Sequence, residues 1–309
     1  MLNRIIFFEL CHYGDLHITR NFVRYVIDNI KANDYTYVLD TSSSKVFADF
    51  SELKFEKYDV AIHPFAAYSP WKLENNILYI NTSCGASDMA FFNGTTIQTA
   101  YAIFSHFLQT LCNHTMSKPI TDFIPIINYN NFKIDAVNKF MEQSANRKKI
   151  MIVVGEGLSG QVLNFDMYPI VQILAHEFPN YLFFVSNKLT NIMHLHNIAF
   201  NTCDANIVCC EDILKLTEND IVETSYISSF CDVIIGRSSG VYILSIEKRN
   251  VIDNPKKFIC ICHAERDKDI GISNLIPQLA DNFIWSNSFD YGKILDISRK
   301  VLSDLYAKM

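Results

Sequence analysis

Four stretches of this chain hold side chains of the kinds that transfer protons or hold anions. The first is Cys11-His12-Tyr13-Gly14-Asp15-Leu16-His17-Ile18-Thr19-Arg20. Gly14 permits a tight turn, and Asp15 presents a carboxylate at a helix start. Two roles fit that carboxylate: capping the helix, or acting as general base toward an acceptor hydroxyl. His17 is its nearest catalytic companion, and His12 and Arg20 are the acceptor-side candidates, although a histidine beside an apolar strand is more commonly structural.

The second stretch runs Asp232-Val233-Ile234-Ile235-Gly236-Arg237-Ser238-Ser239-Gly240. An apolar strand ends near Gly236 and a helix opens at Gly240. Backbone N–H groups and the Ser238 and Ser239 hydroxyls, with the Arg237 guanidinium, suit a diphosphate; a plain helix cap after a parallel strand is the other reading. The third is Gly155-Glu156-Gly157-Leu158-Ser159-Gly160. It lacks the lysine of a P-loop, and its third glycine comes too early for a dinucleotide fingerprint. Gly155, Gly157 and Ser159 still offer backbone that a phosphate can approach closely. Single residues complete the set: Glu247 for a ribose hydroxyl pair or as a surface helix glutamate, and Lys188 for a second phosphate or as an exposed loop lysine.

Other patterns carry less. Asp267-Lys268-Asp269 is formally an Asp-x-Asp, but it lies in a charged loop and reads as solvated. His194-Leu195-His196 and Cys260-Ile261-Cys262 each offer two ligands where structural zinc takes four, so no metal site is expected.

Elements must bring these residues together. Apolar runs at 4–10, 35–39, 58–63 and 77–81 read as short strands, with helices over 17–31 and 96–111. After an irregular stretch, a helix over 133–144 leads to a second series. Its strands are 149–154, 181–186, 206–210, 232–236 and 257–262, and its helices 166–177, 220–230, 240–248 and 290–307. Alternation of this kind implies parallel sheets covered on both faces. The chain thus reads as α/β, with two Rossmann-like domains facing a cleft: an acceptor domain over 1–125, a linker and helix over 126–148, and a donor domain over 149–309. In such sheets ligands collect beyond the carboxyl ends of the strands, where the first three stretches fall.

Composition narrows the function. With 309 residues, 49% hydrophobic, the chain has material for two cores. The net charge of -6, without a basic stripe beyond Arg147-Lys148-Lys149, disfavours nucleic acid. No secretory signal or spanning segment is visible, which leaves peripheral membrane contact open. Nine cysteines in apolar contexts suit a reducing, cytoplasmic compartment.

The first two motifs together resemble those of the heptosyltransferase-like glycosyltransferases (the ADP-heptose:lipopolysaccharide type). Gly14-Asp15-Leu16-His17-Ile18-Thr19-Arg20 is similar to that family's Gly-Asp-x-x-x-Thr segment, and Asp232 to Gly240 to its second signature. About twenty residues carry the likeness. It implies a GT-B fold, a nucleotide-sugar donor held by the second domain, a glycan or other hydroxyl acceptor held by the first, and no cofactor. It also implies an inverting, metal-independent displacement with Asp15 as base. The sequence departs from the family in three places. Arg20 replaces a common proline, Ser238-Ser239-Gly240 replaces Asp-Ser/Thr-Gly, and the 155–160 loop lacks its basic residue. A sugar-nucleotide epimerase of the same architecture and a non-catalytic GT-B-like binding module are the rival readings.

Overall fold

A computed structural model of the chain describes residues 2–9, 13–39, 41–59, 71–82, 96–155, 163–187, 206–215 and 220–306. The chain divides into two units, Met1–Asn131 with Ile270–Leu275, and Phe132–Asp269 with Ile276–Met309. A single uninterrupted domain from residue 149 was the expectation. Instead Ile270–Leu275 leaves the second series and groups with the first unit. There the Ile270 carbonyl accepts from the Ile97 N–H (3.1 Å) and the Gly271 carbonyl from Gln98 Nε2 (2.7 Å). Gly271 has φ +90° and lies against the Gln98 amide, a position that a side chain would not fit.

The first unit is built on the strands β1 (Arg4–Phe8), β2 (Tyr35–Leu39), β3 (Leu53–Lys57), β4 (Trp71–Glu74) and β5 (Ile77–Asn81). Their order across the sheet is β3-β2-β1-β5-β4, parallel except for β4 against β5. β1 is central and its last four residues are buried, so it reads as an unbroken apolar run. The helices α1 (Tyr13–Asn29) and α2 (Ile97–Cys112) cover the sheet through stacked rings. Phe22 lies 4.3 Å from Phe123 and 5.0 Å from Phe104 between ring centroids. Thr96 Oγ1 accepts from the Thr99 N–H to cap α2, and Asn113 in the left-handed region closes its far end.

Neither β3 nor β4 was expected, whereas 58–59 is not strand and the remainder of the expected 58–63 strand falls outside the described residues. The segment Leu53-Lys54-Phe55-Glu56-Lys57 is an edge strand with charged residues between apolar ones. Such a composition blunts an open edge and hides the strand from a search for apolar runs.

The second unit carries β6 (Lys149–Val153), β7 (Leu182–Val185), β8 (Ile207–Cys209), β9 (Val233–Arg237), β10 (Lys257–Ile261) and β11 (Phe283–Ser286). All are parallel, in the order β11-β10-β9-β6-β7-β8. Numbered within the unit this is 3-2-1-4-5-6, the doubly wound order whose direction reverses between its first and fourth strands. Here those strands are β6 and β9. A core of Ile150, Ile152, Phe183, Val233, Ile235 and Ile259 packs against α4 (Tyr168–Glu177) and α9 (Tyr291–Tyr306). The other helices are α3 (Asp135–Gln143), α5 (Cys210–Leu214), α6 (Ile221–Ser228), α7 (Gly240–Ser245) and α8 (Ile272–Leu275), the last in the first unit.

Candidate functional site

In the first unit, Asp15 occupies the third position of α1, inside the first turn and half-buried. That place is past the N-cap, so the capping role belongs elsewhere. A carboxylate there is stabilised by the positive end of the helix. Thr19 donates its hydroxyl to the Asp15 carbonyl (2.9 Å), tightening this turn. His17 is wholly buried, which removes it from contact with a dissolved acceptor and makes it a core residue of α1.

Arg20 is also corrected. Its guanidinium is fully buried and donates Nη2 to both Asp49 carboxylate oxygens (2.7 and 2.6 Å) and Nη1 to the Val46 carbonyl (2.8 Å). The rings of Phe47 and Phe50 flank it at 5.8 and 5.3 Å. Arg20 therefore pins α1 to the 3-10 turn Thr41–Phe47, and its full burial takes the guanidinium out of contact with a dissolved acceptor. Sequence reading also missed Glu9, a carboxylate 2% exposed at the carboxyl end of β1. The same rim holds Thr82, whose N–H and hydroxyl both go to the Phe8 carbonyl (3.0 and 3.2 Å) and whose hydroxyl shares a hydrogen bond with Tyr37. An acidic residue closing an apolar run was the available signal for Glu9.

In the second unit, the switch between β6 and β9 is narrow. Gly236 pairs with Val153, and a β-carbon on Gly236 would meet the Val153 Cβ at 2.7 Å. Glycine is required for the two strands to approach this closely. Beyond it, Arg237 points its fully buried guanidinium along the strand ends rather than out to solvent. Nη2 donates to the carbonyls of Val154 and Gly155 (2.9 Å to the latter), and Nη1 to that of Phe165 (2.9 Å). The expected direct phosphate contact by Arg237 is thus replaced by a set of backbone contacts.

The next residues form the turn itself. Ser238 donates its hydroxyl to the Asp267 carbonyl (3.1 Å). Ser239 is the N-cap of α7, with extended backbone (φ -132°, ψ 173°), yet its side chain makes no capping bond. Its hydroxyl oxygen is buried and has no hydrogen-bond partner among the described residues. A buried hydroxyl without a partner is unfavourable by itself, and this one stands at the switch point of a parallel sheet. Because α7 has only six residues, its dipole adds little; local N–H groups and hydroxyls must hold any ligand.

The Asp267-Lys268-Asp269 segment is not the solvated loop that was expected. Asp269 is 3% exposed, and the Asp267 and Lys268 carbonyls receive Ser238 Oγ and Tyr242 Oη (3.0 Å). Burial pushes the Tyr242 phenol well up, which keeps it protonated and donating. Cys260 and Cys262 lie with their sulfurs 3.6 Å apart, and burial likewise pushes the Cys260 thiol up, holding it neutral and unreactive. Among the described residues, no three His, Cys, Asp or Glu side chains are grouped to hold a metal ion.

Glu247 is neither a surface residue nor part of the turn. It is 1% exposed and follows the end of α7. Its carbonyl accepts from the Asn250 and Val251 N–H groups at the start of the π-helical turn Arg249–Asp253. Gly155 lies two residues past the end of β6, whereas His12, Gly157, Ser159 and Lys188 lie outside the described residues.

The two sheets and their connections have solved counterparts. The chain is similar to the heptosyltransferase II of E. coli, an ADP-heptose LPS heptosyltransferase, with 11% identity and a TM-score of 0.52 over 98% of each chain. It is similar to a family 9 glycosyl transferase from Veillonella parvula, with 12% identity and a TM-score of 0.52 over 84% of this chain and 80% of the other. The S. aureus MnaA–UDP structure matches with 9% identity and a TM-score of 0.53, over 97% and 88%.

The chain has the GT-B fold.

At these identities the likeness extends to the fold alone. No protein-family model and no curated protein sequence matches the chain. The GT-B fold explains the paired layouts: each unit is a largely parallel sheet with its reversal point beside a helix start, Asp15 on α1 in one and Ser239 before α7 in the other. Among the described residues no helix is long and apolar enough to cross a membrane.

Proposed function

We propose that this protein is a glycosyltransferase that moves a sugar from a nucleotide-diphosphate-sugar donor to a hydroxyl acceptor. The observation that carries the reading is the buried Ser239 hydroxyl. It caps nothing and has no hydrogen-bond partner among the described residues, at the reversal point of a 3-2-1-4-5-6 sheet. A diphosphate supplies the acceptor oxygen that such a hydroxyl lacks, and suits the N–H groups that open a helix. Solved proteins of this fold include an ADP-heptose LPS heptosyltransferase and a protein bound to UDP, which supports a nucleotide sugar as co-substrate.

In the reaction the acceptor oxygen attacks the anomeric carbon, and the bond from that carbon to the diphosphate oxygen breaks. The acceptor proton passes to the Asp15 carboxylate. The departing nucleoside diphosphate carries the electron pair, and the donors at Ser238 to Gly240 stabilise its developing charge. A displacement of this form inverts the anomeric centre and requires no metal; both features belong to the proposal. The six free cysteines among the described residues suit a reducing, cytoplasmic setting.

Purified protein is offered ADP- and UDP-sugars with and without hydroxyl acceptors, and products are read by mass spectrometry. Transfer is expected with acceptor present, and Asp15→Asn should lower its rate by about 10²–10⁴-fold while leaving nucleotide affinity unchanged. Isomerisation of the donor sugar without acceptor would replace transfer by epimerisation. Full activity in Asp15→Asn would remove the base assignment.

A further inference from the structure

The sequence places a cation beside the Ser238-Ser239-Gly240 turn, and the structure turns that cation inward. Arg237 is 0% exposed. Its Nη2 holds the chain where it leaves β6, at Val154 and Gly155, and its Nη1 holds it at Phe165, where it comes back before α4. The Phe165 ring lies 5.5 Å from the same guanidinium. One planar group with donors in a fixed fork therefore joins three carbonyls from both ends of the 155–165 segment to the last residue of β9. Gly236 makes this possible, because its missing side chain lets β9 lie close enough to Val153 for the next residue to reach across.

Phe165 is in turn fixed from outside. Its ring meets Phe289 and Tyr291 at 5.9 and 5.8 Å, and Tyr291 donates its hydroxyl to the Asp166 carbonyl (2.8 Å). Asp166 accepts from the Tyr168 N–H (2.9 Å) at the start of α4. The return point of the segment is thus tied to the starts of both α4 and α9.

We propose that Arg237 is a positioning residue: it clamps Gly155 and Phe165 to the end of β9 and thereby sets the affinity of the second unit for a nucleoside diphosphate. The affinity consequence rests on the donor site proposed above. The clamp orders the Gly155 end of β6 against the end of β9, the strand that leads into Ser239, before any ligand arrives, so binding does not have to order it. A lysine cannot substitute, since a single ammonium lacks the fork that spans both ends.

The test uses the full chain as wild type, Arg237→Lys and Arg237→Ala. ADP and UDP binding is measured by calorimetry, and backbone hydrogen exchange is followed in peptides covering 150–155 and 163–167. Wild type should bind, both variants should bind about tenfold more weakly or worse, and exchange should rise in both peptides together. Added guanidinium ion should recover part of the affinity of Arg237→Ala. A residue that served global stability alone would lower the melting temperature while leaving affinity, measured well below it, unchanged. Equal affinity in wild type and both variants overturns the positioning role and leaves the donor site standing. Absence of nucleotide binding by the wild type, with exchange still raised at both ends in Arg237→Ala, removes the donor site and keeps the clamp. Unchanged exchange in a folded variant overturns the clamp itself, and Arg237→Lys serves this comparison if Arg237→Ala does not fold.

Discussion

Arg20 and Arg237 are both fully buried arginines, and their partners give them different work. Arg20 meets a carboxylate, Asp49, in a two-pronged pair whose own exposures are 0% and 5%. Asp49 also accepts from the Asn128 N–H (2.9 Å), so the pair ties α1, the Thr41–Phe47 turn and the 128 region together. Removing one charge of a buried pair strands the other. Asp49→Asn or Arg20→Met should therefore cost about 3–5 kcal/mol in denaturant unfolding, with no change in nucleotide affinity beyond that of lost folded protein. A loss below about 1 kcal/mol, the range of exposed pairs, would show that the pair is solvated in solution. The sequence showed Arg20 as an acceptor-side candidate and as a departure from a family pattern, not as half of a buried pair. Its partner lies 29 residues away on a separate element, and nothing local marks the two as a pair.

At the scale of elements, long apolar runs and their helices were legible. β1, β6 and β9 fall within a residue or two of expectation, as do the helices Ile97–Cys112, Tyr168–Glu177 and Ile221–Ser228. Burial on both faces leaves an unbroken apolar signal that no other short element produces. The edge strands Leu53–Lys57 and Trp71–Glu74 gave no such signal, since one side of each strand meets water. The helix after Ser239 was expected to reach 248 and stops at Ser245, where backbone contacts of Glu247 start a π-helical turn instead. Gly236 belongs to this scale too. Its close approach to Val153 involves a β-branched residue on the neighbouring strand, which cannot swing aside. Gly236→Ala should destabilise the second unit by about 1–3 kcal/mol, read as a lowered denaturation midpoint. An unchanged midpoint would mean that β6 and β9 separate freely at their carboxyl ends.

Over the whole molecule, stability should depend on acid through carboxylates that the fold pairs. Asp34 receives Lys54 Nζ at 2.7 Å and Arg4 Nε at 2.9 Å, and the hydrogen bond from Lys54 above all holds its carboxyl below the usual range. Glu177 is held down in the same direction by Arg299, at 2.7 Å. A carboxyl lowered in the folded state contributes stability that is complete above the unfolded-state value and disappears as pH falls through the folded-state value. Unfolding free energy is thus expected to fall on acidification below the ordinary carboxylate range. Asp34→Asn should flatten that dependence, and equal slopes for variant and parent in a pH series of denaturation curves would contradict the pairing. Both pairs are partly exposed, so added salt should weaken the effect.

From the sequence alone came the α/β alternation, two series of parallel strands, and the places where a carboxylate and a serine-glycine turn meet helix starts. Periodicity and turn chemistry are local, and local patterns are written in neighbouring residues. Which way the buried polar side chains point was decided by tertiary structure. Arg237 turns to the backbone and Arg20 to Asp49, because each answers to groups brought near by distant parts of the chain; packing likewise buries Glu247 and leaves the Ser239 hydroxyl without a partner among the described residues. A buried charge or hydroxyl must satisfy whatever surrounds it, and only the packed sheet determines what that is.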